Sequence, residues 1–243
     1  MNLPTPVPIA AILIAALNVP PPPGPEDTIA RFLAEKTAPL ASAVTFRHLE
    51  ATARGGSLKG WIDACTTLDG SRMDYRIVGQ GGSGAVRKRA LIAALDGEVK
   101  ARQTGETGRA SLHPDNYEFA RAETSDGLLR IDLTPRRKDS MLVRGAMYLA
   151  AGDADLVRVE GTLVKAPSFW TRRVHVDRRY ARLAGIRVPV SMTSTAQVLI
   201  VGESTFSMAY SYLAINGDAV VDPQAPPGAK ACTAAAAPAQ EDR

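Results

Sequence analysis

The chain has 243 residues, 45% hydrophobic and 22% charged, a globular composition that excludes a disordered or collagen-like polypeptide. Its 29 basic and 25 acidic residues leave a net charge of only +4, too weak and too mixed to argue for nucleic acid. Aromatics at 5% supply no stacking platform for single strands, and two cysteines exclude a Cys-rich zinc module or a disulfide-dense scaffold.

Proline is unevenly spread: eight of the 17 lie in residues 1–25 and four follow residue 222. Pro8 to Leu17 is nearly continuous apolar sequence, followed by Pro20–Pro23. Ten such residues reach about 15 Å as a helix, half of a ~30 Å hydrocarbon core, so no transmembrane span is expected. The length suits the apolar region of a secretory signal, although no Lys or Arg precedes it. Residues 1–25 are therefore read as a signal peptide with a Pro-rich linker, the rival being a disordered arm. Export to the periplasm would put Cys65 and Cys232 in an oxidising compartment, where pairing is open. Residues 219–243 are Ala/Pro-rich and aperiodic, and are expected to form a loose tail.

The body, residues 26–218, begins with a helix over Glu26–Lys36, with Ile29, Phe32 and Leu33 on one face. The period then becomes 2. Val44, Phe46 and His48 alternate with Thr45 and Arg47, Leu58–Ala64 with Lys59–Cys65, and Met73–Ile77 with Arg72–Arg76. Gly79–Gly84 (GQGGSG) reads as a flexible link into a second helix, Ala85 to Arg102, with Val86, Ala90, Leu91, Ala94, Leu95 and Val99 at helical spacing. From Asn116 to Ile215 the pattern is again strict alternation, broken by short turns. Such alternation means an antiparallel meander, since parallel strands covered on both faces read as unbroken apolar runs. The expected fold is mainly β with α: about ten strands in one large curved sheet, an incomplete barrel covered by two helices.

Catalytic signatures are missing. His48, His113 and His175 are scattered, with no metal-ligand spacing, and no GxSxG or P-loop occurs. GQGGSG lacks the GK[ST] ending and a βαβ context, so it is not read as a phosphate cradle. Asp132, Glu160 and Asp177 offer carboxylates without an activated nucleophile. No catalytic residue, metal or cofactor is assigned, and the chain is read as a non-enzyme.

Two surfaces remain. The apolar face would present Val143, Met147, Val157, Val159, Val174, Val176, Met192, Val198, Phe206, Met208 and Tyr210, and adaptable methionines suit an acyl-chain pocket. Some of these must simply pack against the helices. On the opposite side Arg173, Arg179 and Arg187 belong to a basic cluster able to meet a lipid headgroup or an acidic partner, or merely to keep the sheet edge soluble.

The run IDLTPRRKDSMLVRGAMYLAAGDADLVRVEGTLVKAPSFW (131–170), continued by RRVHVDRRYARLAGIRVPVSMTSTAQVLIVG and FSMAYSYLAIN, resembles the LolA/LolB-like superfamily, in particular its uncharacterised branch of outer-membrane lipoprotein-sorting-like domains. The likeness rests on strand-and-turn patterns over the C-terminal 90 or so residues, among them Val188–Pro189 and the closing strand at Tyr210–Tyr212. It implies an incomplete antiparallel barrel with helices as a lid over an apolar cavity that holds lipid or lipoprotein acyl chains. The expected function is a periplasmic, monomeric carrier or binding protein for such chains. The alternative is an envelope protein-interaction module with a filled core, acting through its basic surface.

Overall fold

A computed structural model describes residues 24–35, 38–169, 171–222 and 225–233. The apolar segment read as a signal lies outside these residues. A first helix, α1 (Pro25–Ala34), carries Glu26 and Asp27 in its first turn and Arg31 in its last, matching the helix dipole. Three strands follow: β1 (Ser42–Ala53), β2 (Leu58–Asp69) and β3 (Arg72–Gly82). A continuous helical segment comes next, made of α2 (Gly84–Val86), a π-helical stretch Arg87–Ile92 and α3 (Ala93–Gln103). The meander then runs through β4 (Tyr117–Ser125), β5 (Leu128–Pro135), β6 (Val143–Ala150), β7 (Leu156–Leu163), β8 (Thr171–Leu183), β9 (Ile186–Val198) and β10 (Gly202–Ile215).

These strands form one antiparallel sheet in the order β3-β2-β1-β10-β9-β8-β7-β6-β5-β4, and a two-residue β11 (Asp218–Ala219) pairs with β10. The first strand of the chain, β1, pairs with the last strand of the meander, β10, leaving β3 and β4 as the edges. The result is a curved half-barrel, not a closed one. The segment 83–116 joins the two edge strands, which is why its helix crosses the inner face.

The inner face is covered by helices in two main places, and a third buried cluster of Met73, Ile186, Val188, Tyr212 and Ile215 takes Val99 of the crossover helix against it. Under α1, Phe32 packs with Tyr117, Leu129, Ile131, Met147, Leu149 and Val159 from β4–β7. Under the crossover helix, Val86, Leu91 and Leu95 pack on Leu49, Ile62, Ala64 and Met208. The step from Val86 to Leu91 is five residues, one more than an α-helix places on a stripe. The π-helical stretch absorbs the extra residue and keeps both side chains on the sheet.

Three expectations change. The inner face of β1 is Arg47, Leu49 and Ala51, while Phe46 points outward. The alternation of Val44, Phe46 and His48 with Thr45 and Arg47 suggests a half-buried strand, but β1 is buried on both sides, and alternation alone does not say which side is core. Second, Gly79–Gly82 is strand, not link, paired with Gly60–Asp63. A Cβ at Gly81 would lie 2.5 Å from the Trp61 indole nitrogen, and Gly82 has φ +72° with the Lys59 carbonyl 2.3 Å from its missing Cβ. Close approach explains the glycines. Third, the tail does not simply trail away. A 3-10 turn (Pro227–Ala229) and α4 (Lys230–Thr233) cover Phe46, and Cys232 forms a disulfide with Cys65 of β2 at a Cα–Cα distance of 5.3 Å. Residues 234–243 lie outside the described residues.

Candidate functional site

The two helical covers leave a band of the inner face between them, on β8, β9 and β10. Register defines it as cross-strand rows. One row runs Val159–Arg178–Met192–Met208–Leu49. The next is Gly161–Val176–Ser194–Phe206–Ala51, and beyond it lies Val174–Ala196–Ser204. Val176, Met192, Ser194, Ala196 and Phe206 are all half-buried, unlike their neighbours beneath the helices. The strip continues to the β9–β10 turn, where an open groove of about 480 Å³ is lined by Arg172, Val198, Leu199 and Ile200. Ile200 there is 90% exposed.

The eleven apolar residues predicted from sequence therefore divide. Met147 and Val159 are core beneath α1, and Met208 is core beneath the crossover helix. Val143 is buried near the Tyr117 hydroxyl, which accepts its backbone N–H at 3.1 Å. Val157 falls at a register shift between β6 and β7, where Leu156 takes the place in the core. Val174, Val176, Met192, Val198, Phe206 and Tyr210 belong to the strip or its borders, and only Val174 of these is fully buried.

At one end of the strip sits a polar cluster that sequence reasoning missed. Arg47 is 7% exposed and grips Glu98 of α3 through two hydrogen bonds, 2.5 and 3.3 Å, with its guanidinium 5.0 Å from the centre of the Tyr210 ring. Arg102, one turn on, places Nε 3.5 Å from the same carboxylate without hydrogen-bond alignment. Arg178 gives an N–H to the Met192 sulfur at 3.2 Å. The Nε atoms of Arg47, Arg102 and Arg178 are all enclosed and have no hydrogen-bond partner among the described residues.

Burial pulls Arg47 down, but Glu98 more than offsets it and leaves the guanidinium above its ordinary value. Burial likewise opposes charge on Glu98, yet Arg47, Arg102 and Arg178 hold its carboxyl below the ordinary value. Tyr210 and Tyr212 are pushed up, chiefly by burial. The signal for these groups was present. Arg178 shares the parity of Val174, Val176 and Tyr180, Arg47 shares that of Leu49 and Ala51, and Glu98 follows Leu91 and Leu95 by seven and three residues on one helical stripe.

The basic surface also divides. Arg173 and Arg179 are exposed on the outer face and make no ion pair among the described residues. Arg187 is not a surface cation. It donates to Asp155 at 2.7 Å and to Glu35 at 2.5 Å, and lies 5.1 Å from the Phe32 ring centre. Arg182 binds the same two carboxylates at 2.9 and 2.6 Å. Together they clasp the end of α1 to the sheet. Burial would raise Asp155, but the two guanidiniums hold it below its ordinary value.

The carboxylates considered for catalysis are engaged in ion pairs: Asp132 with Arg130, and Glu160 and Asp177 with Arg158. His48 binds Asp63 at 2.6 Å and stacks on Trp61, while His175 faces outward. Among the described residues no three His, Cys, Asp or Glu side chains gather as metal ligands, and no helix is long and apolar enough to cross a membrane.

The architecture is that of a half-barrel with helices on its inner face. The chain is similar to a domain designated an outer membrane lipoprotein-sorting protein from Vibrio parahaemolyticus, at 9% identity and TM-score 0.40, over 82% of this chain and 92% of that one. It is also similar to a LolA superfamily protein from Nitrosomonas europaea, at 12% identity and TM-score 0.32, over 76% and 90%. Both likenesses are distant and assign no family to this chain. No family model and no curated protein matches the sequence.

Proposed function

We propose that this protein is a non-enzymatic periplasmic carrier or binding protein that holds a lipid, or the acyl chain of a lipoprotein, on the inner face of its half-barrel. One observation carries the reading: the apolar strip of Val176, Met192, Ala196 and Phe206 stays half-exposed between two regions where the same face is fully covered. A hydrocarbon chain laid there would gain about 25 cal/mol per Å² of apolar area removed from water. Such binding needs no catalytic group, in keeping with carboxylates already engaged in ion pairs. Rows of Met and Val accept chains of varied shape.

The test is expression in a bacterial periplasm, purification without detergent, and native mass spectrometry with lipid extraction. A lipid or acyl species at near one-to-one supports carriage. An apo mass unchanged after incubation with phospholipid and fatty acid counts against it. A second reading, an envelope interaction module, draws on Arg173 and Arg179, exposed and free of ion pairs among the described residues. Charge reversal at both positions abolishes partner recovery under that reading and leaves lipid binding intact under the first.

A further inference from the structure

The cluster beside the strip is unbalanced. Arg47 and Arg102 lie within ion-pair distance of a single carboxylate, Glu98, and Arg178 interacts with it electrostatically from farther away. That carboxylate spends both oxygens on Arg47. Arg178 has only neutral acceptors, the Tyr180 side chain and the Met192 sulfur, and each of the three arginines retains an enclosed Nε without an acceptor among the described residues. A cation removed from water is costly unless an anion or a full set of acceptors replaces its hydration. Tyrosine hydroxyls nearby supply dipoles but no negative charge at neutral pH, since burial holds Tyr210 and Tyr212 protonated.

The cluster reaches solvent through Arg102. Arg102 and Glu98 are 24% and 28% exposed at their side chains, and Arg178 is half-buried on the strip itself. Along β8 the charge passes directly into apolar sequence: Arg178, then Val176, then Val174 on the same face. At 3.3 Å per strand residue the step from Arg178 to Val174 is about 13 Å.

We propose that Arg178 and Arg102 form the head-group site of the strip, and that the ligand is an anionic amphiphile whose carboxylate or phosphate meets these guanidiniums while its hydrocarbon lies over Val176, Met192 and Phe206. This rests on the carrier reading and narrows its ligand class. The planar guanidinium matches the two oxygens of such a head group, and the anion replaces the charge partner that the fold leaves out.

The experiment compares hexadecanoate with hexadecanol, equal in chain and different in charge, by native mass spectrometry or fluorescence displacement on the whole chain. Inorganic phosphate alone is the third probe. The expected result is hexadecanoate at least tenfold tighter than hexadecanol, with phosphate alone weaker still. Arg178→Gln and Arg102→Gln should each erase most of that preference while hexadecanol binding holds, and Arg178→Lys should restore part of it. Hexadecanol retention by each variant shows that it is folded. Equal affinity for acid and alcohol overturns the head-group site and leaves the carrier reading standing. Phosphate as tight as hexadecanoate overturns the amphiphile in favour of a free anion. Binding of neither chain overturns the carrier reading itself, and this inference with it.

Discussion

Glu98→Gln removes the one carboxylate facing Arg47, Arg102 and Arg178 and leaves the side-chain volume almost unchanged. Arg47 is 8% exposed at its side chain and has no other carboxylate within ion-pair distance among the described residues. Breaking a buried pair by neutralising one partner costs about 3–5 kcal/mol, and Glu98 at 28% exposure puts the loss near the lower end, about 3 kcal/mol. For a domain of this size that is a fall in Tm of roughly 6–12 °C, from about 2–4 °C per kcal/mol. Urea unfolding at pH 7 followed by circular dichroism measures the free-energy loss, and a thermal melt the fall in Tm. The pH dependence gives an independent handle. Glu98 is held below its ordinary value in the folded state, so the unfolded chain binds its proton first as pH falls. The stabilisation is therefore complete above the unfolded carboxylate range, near pH 4–5, and is lost as pH falls through the lower folded value. Wild type and Glu98→Gln should converge in acid and differ by a constant, full amount above pH 5. The double variant Arg47→Met/Glu98→Leu should recover the part of the loss owed to Arg47, because two apolar groups there need no charge partner, while Arg102 and Arg178 still lack their carboxylate. A difference below 1 kcal/mol at pH 7, or one independent of pH, would refute the account of a desolvated pair.

Three further outcomes are expected. Met147→Ala, fully buried beneath α1, should cost about 2–5 kcal/mol, whereas half-exposed Met192→Ala should cost under about 1 kcal/mol and instead weaken hydrocarbon binding; equal destabilisation of the two would show the strip to be ordinary core. Replacing Cys232 by Ser should lower stability by about 2–5 kcal/mol in oxidising buffer and open residues 225–233 to protease, with the wild type matching the variant once reduced. Asp155→Asn strips Arg182 and Arg187 of a shared carboxylate; faster amide exchange in α1 than in β1 and β2 is the expected readout, and uniform change would argue against a local clasp.

Much of the half-barrel is legible in the chain. Period-2 alternation from β5 to β10, short turns and two amphipathic stretches specify a meander with one apolar face, because side chains on a strand have no third direction to point. The α1 stripe of Ile29, Phe32 and Leu33 meets its cluster as its spacing dictates. Parity alone also placed Arg178 among Val174, Val176 and Tyr180. Its significance escapes a reading that treats arginine as a surface residue by default.

Other features belong to the tertiary structure alone. Which face of β1 is inner depended on what packs on each side: the crossover helix over Leu49, and the disulfide-tied C-terminal segment over Phe46. Arg47 and Glu98 are 51 residues apart, so no local pattern links them; they meet because segment 83–116 must travel from one sheet edge to the other across the inner face. The division of the apolar residues follows the same cause. Alternation marks every one of them as facing inward, but only the positions of two helices decide that Met147 is sealed while Met192 stays half-open. Local sequence sets where a side chain points along its own strand. Whether that direction ends in core, in solvent or against a buried charge is decided by chain segments dozens of residues away.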